Sequence, residues 1–131
     1  MDIAITALII IVFMFTLKFI MQKRAQKSLG KSINVSLFND EIKTLLNGSK
    51  SILYFYTPTC GACRTQGPII DKLKEDLDSV GKIDLSENRK VSAEFGIVGV
   101  PTTVIMKDNS IAEVFVGLKK YDFLRTKFET V

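Results

Sequence analysis

The stretch Ile3 to Met21, IAITALIIIVFMFTLKFIM, restricts this chain more than any other feature. Sixteen of its 19 residues are apolar, the exceptions being Thr6, Thr16 and Lys18. A helix of that length, rising about 1.5 Å per residue, extends about 28 Å, close to the hydrocarbon thickness of a bilayer. Both threonines can turn their hydroxyls onto carbonyls of their own helix. Lys18 lies less than a turn from the end, so its ammonium reaches the interface. A soluble core helix this apolar would need protein on all sides, and the rest of a 131-residue chain is too small to supply it. The expectation is a membrane anchor over residues 1–22, in contact with lipid through residues 3–21.

A cleaved signal peptide fits less well. It wants a basic segment before the apolar run and small residues after it, whereas this run follows Met1-Asp2 and ends in Lys-Phe-Ile-Met-Gln-Lys-Arg. The flank after the run carries Lys23, Arg24, Lys27 and Lys31 and no acid up to Asn34. Basic flanks stay on the cytoplasmic side, so the remainder of the chain is expected in the cytoplasm. Of 18 basic and 14 acidic residues, five basic and one acidic fall in residues 1–34, leaving thirteen of each sign beyond. The net charge of +4 therefore marks the anchor and no nucleic-acid face, and no nucleic-acid partner is expected.

Residues 23–32 read as a basic juxtamembrane linker and 33–131 as one domain. Ile33 to Leu37 alternates and predicts a short strand. Asn39-Asp40-Glu41 opens an amphipathic helix through Ile42, Leu45 and Leu46, closed by Asn47-Gly48. Ser51 to Tyr56 is a near-continuous apolar and aromatic run, which predicts a central strand covered on both faces. Helical spacing follows through Ile69, Ile70, Leu73 and Leu77, then a strand Lys82 to Leu85 and a helix Glu87 to Phe95 closed by Gly96. Thr102 to Met106, the turn residues Asp108-Asn109, and Ile111 to Val116 predict a hairpin. Lys119 to Phe128 is the last amphipathic helix. The order β-α-β-α-β-α-β-β-α predicts an α/β fold with a mixed central sheet flanked by helices.

With no histidine and two cysteines, neither a four-ligand Cys/His zinc site nor a Ser-His-Asp or Cys-His arrangement is available. The chemistry falls to Cys60-Gly61-Ala62-Cys63, placed between a buried strand and a helix. A thiol at a helix N-terminus faces unpaired N–H groups and the positive end of the dipole, which favour thiolate. Cysteines three apart in a first turn lie close enough to cycle between dithiol and disulfide. Gly61 and Ala62 leave the surface around Cys60 open. Cys60 is expected as the exposed nucleophile and Cys63, beneath it, as the resolving thiol. Half a metal site shared across a dimer, a pair of inert buried residues and a weak structural staple also fit the bare spacing.

At these residues the chain resembles the thioredoxins, over roughly Ile33 to Phe128. The resemblance rests on Tyr54-Phe55-Tyr56 before Cys60-Gly61-Ala62-Cys63, on Pro68, on Lys82-Ile83-Asp84, on Phe95 to Thr102 (FGIVGVPT), and on Val116-Gly117. It implies the thioredoxin fold behind one transmembrane helix, and a redox-active Cys60–Cys63 disulfide. It also implies a cis peptide before Pro101, with Val100 pairing to an extended substrate; the residues alone read Pro101 equally as the opening of a strand. Thr59, Gly61 and Ala62 would complete the substrate surface. The family commonly has Trp-Cys-Gly-Pro-Cys, so Thr59 removes an apolar surface and Ala62 alters the tuning of the pair. Tyr54 stands where the family has a buried acid, and a phenol with a pKa about 10 is a poor base at neutral pH. Lys82 matches the lysine that accompanies that acid and is the candidate for the proton relay; it also reads as a solvated lysine beside Asp84.

The function expected is that of a membrane-anchored thiol–disulfide oxidoreductase, reducing protein disulfides and recharged by a thioredoxin-reductase-like donor, with no metal and no cofactor. Two alternatives are a tethered binding module without turnover and an outward-facing oxidoreductase serving exported proteins.

Overall fold

In the computed structural model, residues 2–26 and 29–131 are described. Helix α1, Ile3–Gln26, carries apolar residues on every side and is exposed from Ile3 to Met21 and half-buried at Gln22, and Ile3–Arg24 is long and apolar enough to cross a membrane. Thr6 Oγ1 donates to the Asp2 carbonyl at 3.2 Å and Thr16 Oγ1 to that of Phe13 at 2.8 Å, which satisfies both hydroxyls within the helix. The stretch read as a linker is helical to Gln26, and Lys27 and Ser28 lie outside the described residues. Beyond them Gly30 N–H donates to the Ile111 carbonyl and Ile111 N–H to that of Lys31, so this end is tied to the domain.

The predicted strand at Ile33–Leu37 is absent. Val35–Leu37 forms a single 3-10 turn, because the Asn34 carboxamide accepts from Ser36 N–H at 3.1 Å and diverts the backbone from a ladder. Ser32 alone bridges to Ser110. The elements that follow are α2 (Asp40–Leu46), β1 (Lys50–Tyr56), α3 (Gly61–Asp76), β2 (Val80–Asp84), α4 (Arg89–Phe95), β3 (Thr102–Lys107), β4 (Ser110–Val116) and α5 (Tyr121–Thr130). Asn39 caps α2, accepting from Ile42 N–H at 3.0 Å. Gly96, at φ 64°, closes α4 in the left-handed conformation that its lack of a Cβ permits.

The sheet order is β2-β1-β3-β4. β1 runs parallel to β2 and antiparallel to β3, which pairs antiparallel with β4. Asp108 and Asn109 both take positive φ, 50° and 61°, as a two-residue hairpin turn of matching twist requires. β1 is central and its residues alternate between two cores. Leu53 and Phe55 face α2 and α4, where Phe55 packs on Phe95 at 4.8 Å between ring centroids. Ile52 and Tyr54 face α3 and α5 with Ile70, Leu73 and Leu124. This two-sided burial explains the unbroken apolar run in the sequence.

Candidate active site at the start of helix α3

Strand β1 ends at Tyr56, and the turn Thr57-Pro58-Thr59 delivers Cys60 to the N-cap of α3. Cys60 N–H donates to the Thr57 carbonyl at 3.2 Å, and Cys60 Sγ accepts from Cys63 N–H, also at 3.2 Å. One of the free N–H groups of the helix N-terminus is thus turned toward that sulfur, and no acid lies in the first turn to oppose a thiolate. Cys60 and Cys63 are joined as a disulfide with Cα atoms 5.2 Å apart. Cys63 is 6% exposed, while Cys60 is half-buried and Thr59, Gly61 and Ala62 are exposed around it.

Beneath the pair, Tyr54 is fully buried and its hydroxyl donates to the Cys63 carbonyl at 3.1 Å. Burial, reinforced by Tyr56 and then Asp71, pushes its pKa up to about 12. The phenol is therefore a fixed donor to the backbone and carries no negative charge at neutral pH. Lys82, on β2, lines a cavity of about 220 Å³ with Tyr54, Tyr56, Cys60, Cys63 and Arg64. Its ammonium pairs with Asp71 of α3 at 2.9 Å, where the sequence suggested Asp84 as its neighbour, and lies 5.8 Å from the Tyr56 ring centroid.

The register Phe55↔Thr102 puts Val100 and Pro101 at the end of the sheet from which the cysteine turn leaves β1. The Val100–Pro101 peptide is cis. Pro101 is buried, and its carbonyl accepts from Gly117 N–H at 2.8 Å; Thr102 Oγ1 donates to the Gly99 carbonyl at 2.6 Å. Val100 is half-buried and, among the described residues, its backbone makes no hydrogen bond. Two contributors escaped the sequence reading. Asp71 looks like a solvated helix residue until β2 is placed beside α3. Gln66, completely buried, holds both backbone groups of Lys119, donating to its carbonyl at 3.0 Å and accepting from its N–H at 2.7 Å. Its place between Cys63 and Ile70 on the buried stripe of α3 was the available signal.

A family model described as thioredoxin matches residues 30–130. Thioredoxin of Bacillus subtilis is 30% identical over 74 residues, covering 54% of this chain and 71% of that protein. Thioredoxin of Chlamydia pneumoniae is 38% identical over 73 residues, covering 53% and 71%. Among solved structures, a single-site mutant of thioredoxin from Halobacterium salinarum superposes with a TM-score of 0.60 at 34% identity, covering 63% of this chain and 74% of its own.

Proposed function

The chain belongs to the thioredoxin family and is a thiol–disulfide oxidoreductase, and from that premise we propose that it works as a membrane-tethered reductase of protein disulfides. The observation that carries this is the N–H of Cys63 aimed at Cys60 Sγ, with Cys63 itself buried directly beneath. In the reduced pair, Cys60 as thiolate attacks one sulfur of a substrate disulfide, and the other sulfur leaves as thiolate. Cys63, deprotonated, then attacks Cys60 Sγ and releases the second substrate sulfur. Two electrons have passed to the substrate, and the Cys60–Cys63 disulfide remains for a thioredoxin-reductase-like donor to reduce.

The other residues take supporting roles. The unpaired backbone of Val100 beside Pro101 pairs with an extended substrate segment, while Thr59, Gly61 and Ala62 offer a small, open surface around the nucleophile. Tyr54 positions the Cys63 carbonyl and does not accept its proton. Lys82, paired with Asp71, lines the cavity beside the cysteines and conducts that proton to solvent. Residues 1–22 form the anchor, 23–32 the juxtamembrane segment and 33–131 the catalytic domain. The basic flank Lys23, Arg24, Lys27 and Lys31 favours the cytoplasm for that domain, where the pair is held reduced.

Cys63→Ser tests the chemistry. A reductase lacking its resolving thiol accumulates Cys60-linked mixed disulfides in cells, visible as species that collapse on reduction in a gel. A binding module traps none. Labelling of reduced Cys60 by a membrane-impermeant maleimide only after permeabilisation supports the cytoplasmic side; labelling in intact cells moves the function to exported thiols.

A further inference from the structure

The end of α1 lies against the domain rather than away from it. Gln22 Nε2 donates to the Val114 carbonyl on β4 at 3.3 Å, and Met21 Cε lies 3.8 Å from where a Cβ on Gly99 would stand, beside Val100 and Pro101. Phe15, Lys18 and Phe19 of α1 share a pocket of about 400 Å³ with Val116, Gly117 and Lys119. Phe15 to Gln22 covers about 10 Å of helix axis at 1.5 Å per residue. The loop after β4 is therefore level with the last two turns of the apolar helix, the depth at which a span passes from hydrocarbon into headgroups.

The residues at that level suit an interface. Leu118 is 50% exposed, Val98 43% and Phe123 38%. The ammonium groups of Lys119 and Lys127 stand 5.6 and 5.8 Å from the Phe123 ring centroid, and the ring itself meets Phe115 edge-on at 5.0 Å. Lys18 and Lys23 add charge on the helix, and Asp122 is the neighbouring acid on α5. Apolar side chains projecting among lysines, at the exit of a span, match an anionic lipid surface: the rings and aliphatic groups enter the acyl boundary while the ammonium groups meet headgroup phosphates.

We propose that Val98, Leu118, Phe123, Lys119 and Lys127 form a docking face for anionic lipid, which lays the unpaired backbone of Val100, beside Pro101, close to the membrane surface. This rests on the membrane tether proposed above. The substrates in reach are then disulfides within a few residues of the bilayer, in the juxtamembrane segments of other membrane proteins.

The chain has no tryptophan, so single-tryptophan variants report depth directly. Four full-length variants, Leu118→Trp, Phe123→Trp, Asp78→Trp and Ile9→Trp, are reconstituted in vesicles of phosphatidylcholine with or without phosphatidylglycerol, carrying brominated acyl chains. Asp78 is exposed in the turn leading into β2, the far edge of the sheet. On vesicles containing phosphatidylglycerol, the expected result is strong quenching at positions 9, 118 and 123 and none at 78. Adding Lys119→Gln and Lys127→Gln to the Leu118→Trp chain lowers the docked-to-undocked ratio about 30-fold, from about one lysine's worth of surface attraction each. Quenching at position 9 without quenching at 118 and 123 overturns the docking face and leaves the tether standing. Absence of quenching at position 9 overturns the tether, and the docking face with it. Equal quenching on pure phosphatidylcholine removes the anionic partner and overturns the proposal. Shielding that follows the protein-to-lipid ratio instead of phosphatidylglycerol assigns the face to a second copy of the chain, which also overturns it.

Discussion

Tyr54→Phe separates two effects of one hydroxyl. Below pH 10 the phenol is protonated in the folded and unfolded chain alike, and the variant loses only the buried bond to the Cys63 carbonyl at 3.1 Å. That bond is worth about 1 kcal/mol, so at pH 8 the variant unfolds that much more easily. As the pH rises past 10, the unfolded chain gives up the proton while the folded chain holds it to about 12. Folding must then take a proton up, and the native state of the parent loses stability as the pH climbs between those two values, by about 1.4 kcal/mol at pH 11. Phenylalanine has no proton to lose, and the remaining titrations are common to both chains. The two stabilities therefore cross between pH 10 and 11, with the variant the more stable above. Denaturant unfolding of the oxidised full chain in non-ionic detergent, followed by far-UV circular dichroism at pH 8, 9.5 and 11, reads the difference. A gap of constant sign and size across that range refutes the raised phenol. Between pH 6 and 9 the pH profile of disulfide reduction is expected to be the same in both chains; a changed profile would make Tyr54 part of the proton path.

Gln66→Leu leaves the N–H and carbonyl of Lys119 without their buried partner, and a loss of about 3 kcal/mol is expected, read as a lowered thermal midpoint. Gly81→Ala places a methyl 2.7 Å from Ile42 Cδ1 and 2.8 Å from Leu45 Cδ1. Both are ends of flexible side chains, so α2 yields for about 1–2 kcal/mol in denaturant unfolding and reductase activity survives. Lys82→Gln breaks a partly exposed pair with Asp71 and costs less than about 1 kcal/mol; a displaced pH profile of substrate reduction with intact folding is the outcome expected of a proton relay.

Elements governed by local chemistry were legible in the sequence. The Ser51–Tyr56 run becomes a strand buried on both faces, Asn39 and Gly96 bound their helices, and Asp108-Asn109 turns the hairpin. The failure at Ile33–Leu37 is also local: its alternation fits a strand, but the Asn34 side chain captures Ser36 N–H before a ladder can form. Helix α4 starts at Arg89 and α5 at Tyr121, two residues later than their patterns suggested, since apolar spacing does not mark a cap. In the site, the closeness of Cys60 and Cys63 followed from their spacing in a first helical turn, and the cis peptide from resemblance to a family. Contacts between residues far apart in the chain, such as Lys82 to Asp71 and Gln66 to Lys119, depend on how helices lie across the sheet, which no single stretch of sequence encodes.

The central position of β1 also sets a schedule. Its antiparallel partner β3 ends at Lys107, while β1 itself ends at Tyr56. At a synthesis rate of 5–20 residues per second the strand waits roughly 3–10 s for that neighbour. Helix α1 has left the ribosome by then, so the wait is spent in its company. Cys60 and Cys63 are likewise complete before Val100 and Pro101 exist. A nascent chain arrested in that interval carries both cysteines without the Val100–Pro101 segment that stands at their end of the sheet.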